Sequence, residues 1–240
     1  MNLNDVRTTL RNLEFSAKKR LGYFSKVAVD PTALPAEKVG STYGSWYLLK
    51  KFLTPQSIVY SFGIGYDFTF GAALTERYGC HVYAFDPTEN VLSWLDNQPL
   101  PEKFHYKGLA LCDQDDTLTF YTNPERKHFN HAKDDEVEEV QVQASTITTI
   151  MNDLAHQRVD RVNLDVEGST YKVLDHFIET DFRPRQLLVE LHHFFTGNGV
   201  TESSIQKVKE FGYKLFAISP SYTEFSFIAR PPKPFYCFAR

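Results

Sequence analysis

The sequence predicts an α/β fold: a mostly parallel sheet of about seven strands with helices on both faces, a C-terminal antiparallel hairpin and an N-terminal helix. Three observations carry this. Beyond residue 55, short β-branched and aromatic runs alternate with stretches of helical periodicity, the pattern of a parallel sheet wrapped by helices. Two of the helical stretches stop on a glycine, Gly79 and Gly212. Residues 57–74, SIVYSFGIGYDFTFGAAL, pass from strand through a glycine turn into helix without interruption.

In chain order, Val6, Leu10, Leu13, Ala17 and Leu21 fall on one helical face, so the first segment is expected to be a helix packed on the domain or on a second subunit. A basic amphipathic helix on a membrane surface is the alternative. The segment lacks the continuous apolar run of an export signal, and no 18-residue uncharged apolar run occurs anywhere, so no membrane insertion is expected. Strands are predicted at 57–62, 81–85, 104–109, 161–165, 186–192 and 213–218, each of ordinary strand length. Helices are predicted at 68–78, 145–155, 169–178 and 202–211. DTLTFYT and VEEVQVQA read as a further strand pair around a polar 122–137 loop, which is solvated by default and an acceptor-binding lid as the second reading. GYKLFAISPSYTEFSFIA reads as strand, Ser-Pro turn, strand, and gives the terminal hairpin. The expected organisation is an N-terminal helical extension at 1–54, one domain at 55–230 and a proline-broken tail at 231–240.

Composition narrows the function. The 26 basic and 30 acidic residues give a net charge of −4, so no global basic field draws the chain to nucleic acid. A hydrophobic share of 42% with 20 phenylalanines is enough for a core that needs no staple. Cys80, Cys112 and Cys237 are an odd number without metal-site spacing, and read as reduced thiols of a cytoplasmic protein.

The glycine turn is the chemical clue. A strand, a tight turn and a helix start bring backbone close to a ligand and aim free N–H groups at it. The dinucleotide fingerprint G-x-G-x-x-G needs a third glycine where this chain has Phe68, which weakens pyrophosphate binding. The next strand, CHVYAFDPT, ends in Asp86, 21 residues after Gly65, where a carboxylate can accept from both hydroxyls of a ribose. The site therefore wants a nucleoside without a pyrophosphate. S-adenosylmethionine fits, with a ribose for Asp86 and an amino-acid tail for Gly63 and Gly65. The fold expected is accordingly Rossmann-like.

VYSFGIGYDFTF, VYAFDPT, GLALCD, VNLDVEGSTYKVL and LLVELHHFF resemble, in order and spacing, FkbM-like methyltransferases of the S-adenosylmethionine-dependent class I fold, over roughly residues 40–228. The resemblance implies that Leu111 and Asp113 stand beside the adenine, and that Tyr43 to Trp46 cover the cofactor. Two departures stand out: Ser61 occupies a position often acidic in such folds, and Asp67 stands where the FkbM-like proteins usually have glycine. Asp67 is either a plain helix cap or a receiver of the cofactor ammonium that Ser61 cannot bind. The acceptor implied is a hydroxyl on a sugar or other small metabolite.

Methyl transfer from a sulfonium is an in-line displacement, so the protein must align the partners and, for a hydroxyl acceptor, remove a proton. Asp165, His192 and His193 are the candidates at the carboxyl ends of adjacent strands, with Glu167 either catalytic or structural. Alternation puts His192 and His193 on opposite sides of their strand, so they should do different jobs. A histidine base, or a divalent ion held by Asp165 and a histidine, would both serve; the metal is left open, as is a homo-oligomer. A nicotinamide-dependent oxidoreductase and a catalytically silent nucleoside-binding module are the competing readings.

Overall fold

The computed structural model describes residues 27–122, 138–166, 168–191 and 198–231. Its elements, in chain order, are β1 (Glu37–Val39), β2 (Trp46–Leu48), β3 (Ile58–Phe62), α1 (Thr69–Tyr78), β4 (His81–Phe85), α2 (Glu89–Leu95) and β5 (Phe104–Lys107). There follow β6 (Ala110–Leu111), β7 (Asp116–Thr122), β8 (Glu138–Ser145), α3 (Ile147–Asp153), β9 (Arg161–Leu164), α4 (Thr170–Glu179), β10 (Gln186–Glu190), α5 (Asn198–Glu210), β11 (Tyr213–Ile218) and β12 (Glu224–Ala229).

The main sheet has seven strands in the order β11-β12-β10-β9-β3-β4-β5. Strands β10, β9, β3, β4 and β5 pair in parallel, and β12 enters antiparallel between β10 and β11. The order reverses at β3, whose neighbours β4 and β9 lie on opposite sides; this is the switch point at which open parallel sheets hold ligands. All four residues of β9 are buried, as befits a strand covered by helices on both faces. On one face Tyr60, Phe62, Val162 and Leu164 pack with Leu174 and Phe177 of α4. On the other, Val59, Val82 and Leu188 pack with Phe70 and Leu74 of α1.

Local chemistry explains the boundaries. Gly79 ends α1 in the left-handed conformation, returning its N–H to the Thr75 carbonyl. Thr146 caps α3 through its hydroxyl, which accepts the Thr149 N–H at 3.2 Å. In α4, Thr170, Val173, Leu174 and Phe177 form one buried stripe.

The predicted strands and helices are found within a few residues of their expected limits, with three differences. The strand expected at 104–109 stops at Lys107, and Ala110–Leu111 leaves the main sheet to pair with β8 in a second, three-stranded sheet, β6-β8-β7. Helix α2 was not anticipated. Nor was the β1–β2 hairpin: residues 27–54, expected within a helical extension, carry the hairpin and a single 3-10 turn at Lys50–Phe52. Val39, Leu48 and Leu49 from this stretch are buried in the same cluster as Val59 and Phe70. Gln186 of β10 clamps it, accepting the Leu49 N–H at 2.8 Å and donating to the Leu49 carbonyl at 3.1 Å. The predicted N-terminal helix, the body of the 122–137 loop and nearly all of the tail lie outside the described residues. Among those described, no helix is long and apolar enough to cross a membrane.

Candidate functional site

Three strand ends meet at the switch point. From β3 the chain turns through Gly63, Ile64 and Gly65 into α1, with both glycines at positive φ, +74° and +56°. Gly63 is wedged beside the end of β9: a Cβ built there would stand 1.7 Å from the Asp165 carbonyl oxygen. The Gly63 N–H is spent on the Phe85 carbonyl at 2.9 Å, and the Asp165 N–H on the Phe62 carbonyl at 3.1 Å. Gly65 is the opposite case, since a Cβ there would meet nothing within 4 Å. Its backbone borders open space, into which a ligand can approach closely.

Asp86, one residue past β4, is 4% exposed. Its Oδ2 accepts the Gly65 N–H at 2.9 Å and its Oδ1 accepts the Thr88 N–H at 2.9 Å. The carboxylate thus ties the glycine turn to the next strand and sets its own orientation. Each oxygen keeps a second lone pair. Asp165, partly exposed, stands on the other side of the turn.

Leu111 and Asp113 follow from β6. Leu111 is buried at 2% exposure in the cluster containing Phe62 and Phe85, and its carbonyl accepts the Ser169 hydroxyl at 3.4 Å. Asp113 is partly exposed; the bond from the Cys112 thiol, at 3.0 Å, is the main cause holding its carboxyl below the usual range. Ser61 lies on β3 opposite Asn163 of β9 and Ala84 of β4, half-buried.

Asp67 has a role that spacing alone did not show. It precedes Phe68, the residue at the N-cap of α1, so the cap expected of it falls one residue later and is made without a side-chain bond. Its Oδ1 accepts from the N–H and hydroxyl of Thr69, and its Oδ2 from the Ser41 hydroxyl and the Gly44 N–H. Four donors fill the four acceptor positions of a carboxylate. Burial alone would raise its pKa, but these bonds outweigh it and hold Asp67 below the ordinary aspartate value. The Ser41 hydroxyl in turn accepts the N–H groups of Tyr43 and Gly44, at 2.9 and 2.8 Å. The turn between β1 and β2 is thereby fastened beside the glycine turn, with the Tyr43 side chain 80% exposed. Ser41 was missed because it lies 26 residues from the carboxylate it serves, and only the turn-rich composition of GSTYGS hints at it; Thr69, two residues after Asp67, is within the local range from which such a side-chain to backbone bond can be read.

His192, His193 and Glu167 lie outside the described residues, so Asp165 is the one candidate for proton transfer with a described position. Among the described residues no group of three or more His, Cys, Asp or Glu side chains is arranged to hold a metal ion. The remaining described histidines are remote from the turn or on helices. His81, His105 and His156 gather with Tyr60 and Tyr83 near the amino ends of β4 and β5, and His176 lies on α4.

The chain is 26% identical over 180 residues to a human protein named "Probable methyltransferase-like protein 24", covering 71% of this chain and 44% of that one. The protein of the same name from Rattus norvegicus is 26% identical over 182 residues, 72% of this chain and 45% of its own length. The chain thus spans less than half the length of these curated relatives. A Methanococcus jannaschii fibrillarin pre-rRNA processing protein superposes with a TM-score of 0.46 at 10% identity, covering 75% of this chain and 69% of that one. The model of the methyltransferase FkbM domain matches residues 57–215, which include the glycine turn, Asp86 and Asp165. The chain belongs to the FkbM-domain methyltransferase family.

Proposed function

We propose that the chain transfers a methyl group from S-adenosylmethionine to a hydroxyl of a small molecule, a sugar or other metabolite, in the cytoplasm. The observation that carries the cofactor reading is the pairing of Asp86 with Gly65. A buried carboxylate is oriented by two backbone N–H groups, keeps a free lone pair on each oxygen, and sits against a glycine whose backbone faces open space. A vicinal diol is what such a carboxylate recognises. Ser61, Gly63 and Gly65 would border the amino-acid tail, and Leu111 and Asp113 the base. In this reading Asp67 acts indirectly, holding the Ser41–Gly44 turn over the site. S-adenosylmethionine, when bound, supplies a methyl group on a positively charged sulfur.

The acceptor hydroxyl must lose its proton as its oxygen attacks, and Asp165, with His192 or His193, is proposed to take it, directly or by orienting the imidazole. Glu167 stands as a further candidate on the same segment. A base needs only Asp165 and one imidazole, and it is proposed over a metal site.

Thermal melting of the full chain with S-adenosylmethionine, S-adenosylhomocysteine and the nicotinamide dinucleotides in parallel tests the cofactor. At ~100 times its Kd a ligand stabilises by about 2.7 kcal/mol. The two adenosyl compounds should raise Tm and the dinucleotides should not. Asp86→Ala should weaken S-adenosylhomocysteine by roughly 2 to 4 kcal/mol, measured by calorimetry. A folded variant with unchanged affinity would remove Asp86 from the site.

A further inference from the structure

Arg161 opens β9 with its side chain on the α1 face of the sheet, and it is 0% exposed. Its Nε donates to the Asn163 Oδ1 at 3.2 Å, but Nη1 and Nη2 have no hydrogen-bond partner. Asn163, 2% exposed, has its own Nδ2 unpartnered. Three buried donor nitrogens on these two contacting side chains therefore lack an acceptor.

The surroundings offer no anionic acceptor. The guanidinium carbon lies 4.7 Å from the centre of the Phe70 ring, which meets one face of the cation. Val59, opposite Arg161 on β3, is apolar. Gln186, opposite on β10, gives both amide atoms to Leu49. The Cys80 thiol is pushed by burial up to about 11 and is neutral at physiological pH, and the nearby Tyr78 phenol is raised as well, again chiefly by burial. Among the described residues no carboxylate forms an ion pair with Arg161. Burial lowers the guanidinium to about 9, which leaves it charged at neutral pH.

A charge buried without an opposite charge is strongly destabilising. Water can accept from the donors, but it leaves the charge unopposed. An anion answers both needs. Complete burial restricts it to a small, monatomic one.

We propose that a halide, chloride under physiological conditions, binds between β9 and α1 on Arg161 Nη1 and Nη2 and Asn163 Nδ2, as a structural ion of the core. The ion would neutralise the guanidinium directly behind the strand that delivers Asp165. Nothing in this depends on the methyl-transfer reading, and its test uses no activity measurement.

The full chain is refolded and melted in sodium chloride, sodium bromide or sodium gluconate at equal ionic strength. Tm should rise saturably by several degrees in chloride and bromide relative to gluconate. In Arg161→Met, which replaces the charged side chain by an apolar one of similar volume, the three curves should coincide. Equal wild-type melting in all three salts overturns the proposal, and so does a halide gain that Arg161→Met retains. Crystals grown in bromide supply a second readout that does not need the variant to fold. An anomalous peak beside the Arg161 Nη atoms supports the site, and ordered water alone there overturns it.

Discussion

The carbonyl oxygen of Asp165 occupies the place where a side chain at Gly63 would begin, 1.7 Å from a Cβ built there. The ends of β3 and β9 are therefore in backbone contact, and the two glycines of the turn, alike in sequence, answer to different constraints.

Gly63→Ala combines a positive φ with a backbone clash and should cost at least about 2 kcal/mol of stability. Gly65→Ala meets open space and should cost about 1 kcal/mol for its φ alone. Urea denaturation of both variants, with calorimetric titration of S-adenosylhomocysteine into the folded Gly65→Ala, separates them. The first should lose stability, and the second should lose mainly affinity.

Asp67→Ala should destabilise by about 2 kcal/mol, because it strands donors on Ser41, Gly44 and Thr69. The pKa of Asp67 in the folded chain is lowered, so its contribution is complete above the unfolded value near 3.8 and is lost as pH falls through the folded value. The stability gap between wild type and Asp67→Asn should accordingly persist from neutral pH to about 4 and close in stronger acid. A gap of the same size at every pH would show that the carboxylate charge is irrelevant.

His105 and His156 are both held below the ordinary imidazole value, first by burial and then by neighbouring histidines, His81 for both and His105 also for His156. His156 meets the Tyr60 hydroxyl at 2.7 Å and stacks edge-on with Tyr83. A depressed folded pKa means that the unfolded chain takes up protons first as pH falls below about 6.5. Stability should be flat above that value and decline toward pH 5, measured as the urea midpoint. His156→Gln and His105→Gln should each flatten the decline, and a slope unchanged in the double variant would place its cause elsewhere.

Asp165→Asn should lower turnover by about 10²- to 10⁴-fold with cofactor affinity intact, once an acceptor is in hand. His192→Ala and His193→Ala should differ from each other, only one removing the rise of rate with pH through a histidine-like pKa. A chelator that abolishes turnover, with recovery on adding Mg²⁺, Mn²⁺ or Zn²⁺, would replace the base by a metal site.

What the sequence made legible follows from range. β3, β4 and β10 are dominated by β-branched, aromatic and leucine residues, and β9 carries Val162 and Leu164 between polar neighbours, so each announces itself within a few positions. Asp86 was legible because its distance from the glycine turn is fixed by one helix and one strand. β1 and β2, three residues each, carry no periodicity to detect, and α2 begins just after Pro87 with only Val91, Leu92, Trp94 and Leu95 to mark it. The place of β12 between β10 and β11 is a matter of strand order, which alternation does not encode. The bonds of Asp67 to Ser41 and Gly44, and the isolation of Arg161 behind α1, depend on which segments the fold brings together. Locally, Arg161 is merely a charged residue at the start of a strand.

That strand order also imposes a schedule on synthesis. β10, with four of its five residues buried in the finished sheet, receives its second neighbour only when Glu224–Ala229 have been made, at least 34 residues after Glu190. At 5–20 residues per second the ribosome needs about two to seven seconds for that interval. Throughout it an apolar strand edge is open to any other extended chain. Slow-codon variants between positions 190 and 224 should therefore aggregate more during expression while yielding, once purified, a protein with the same melting temperature.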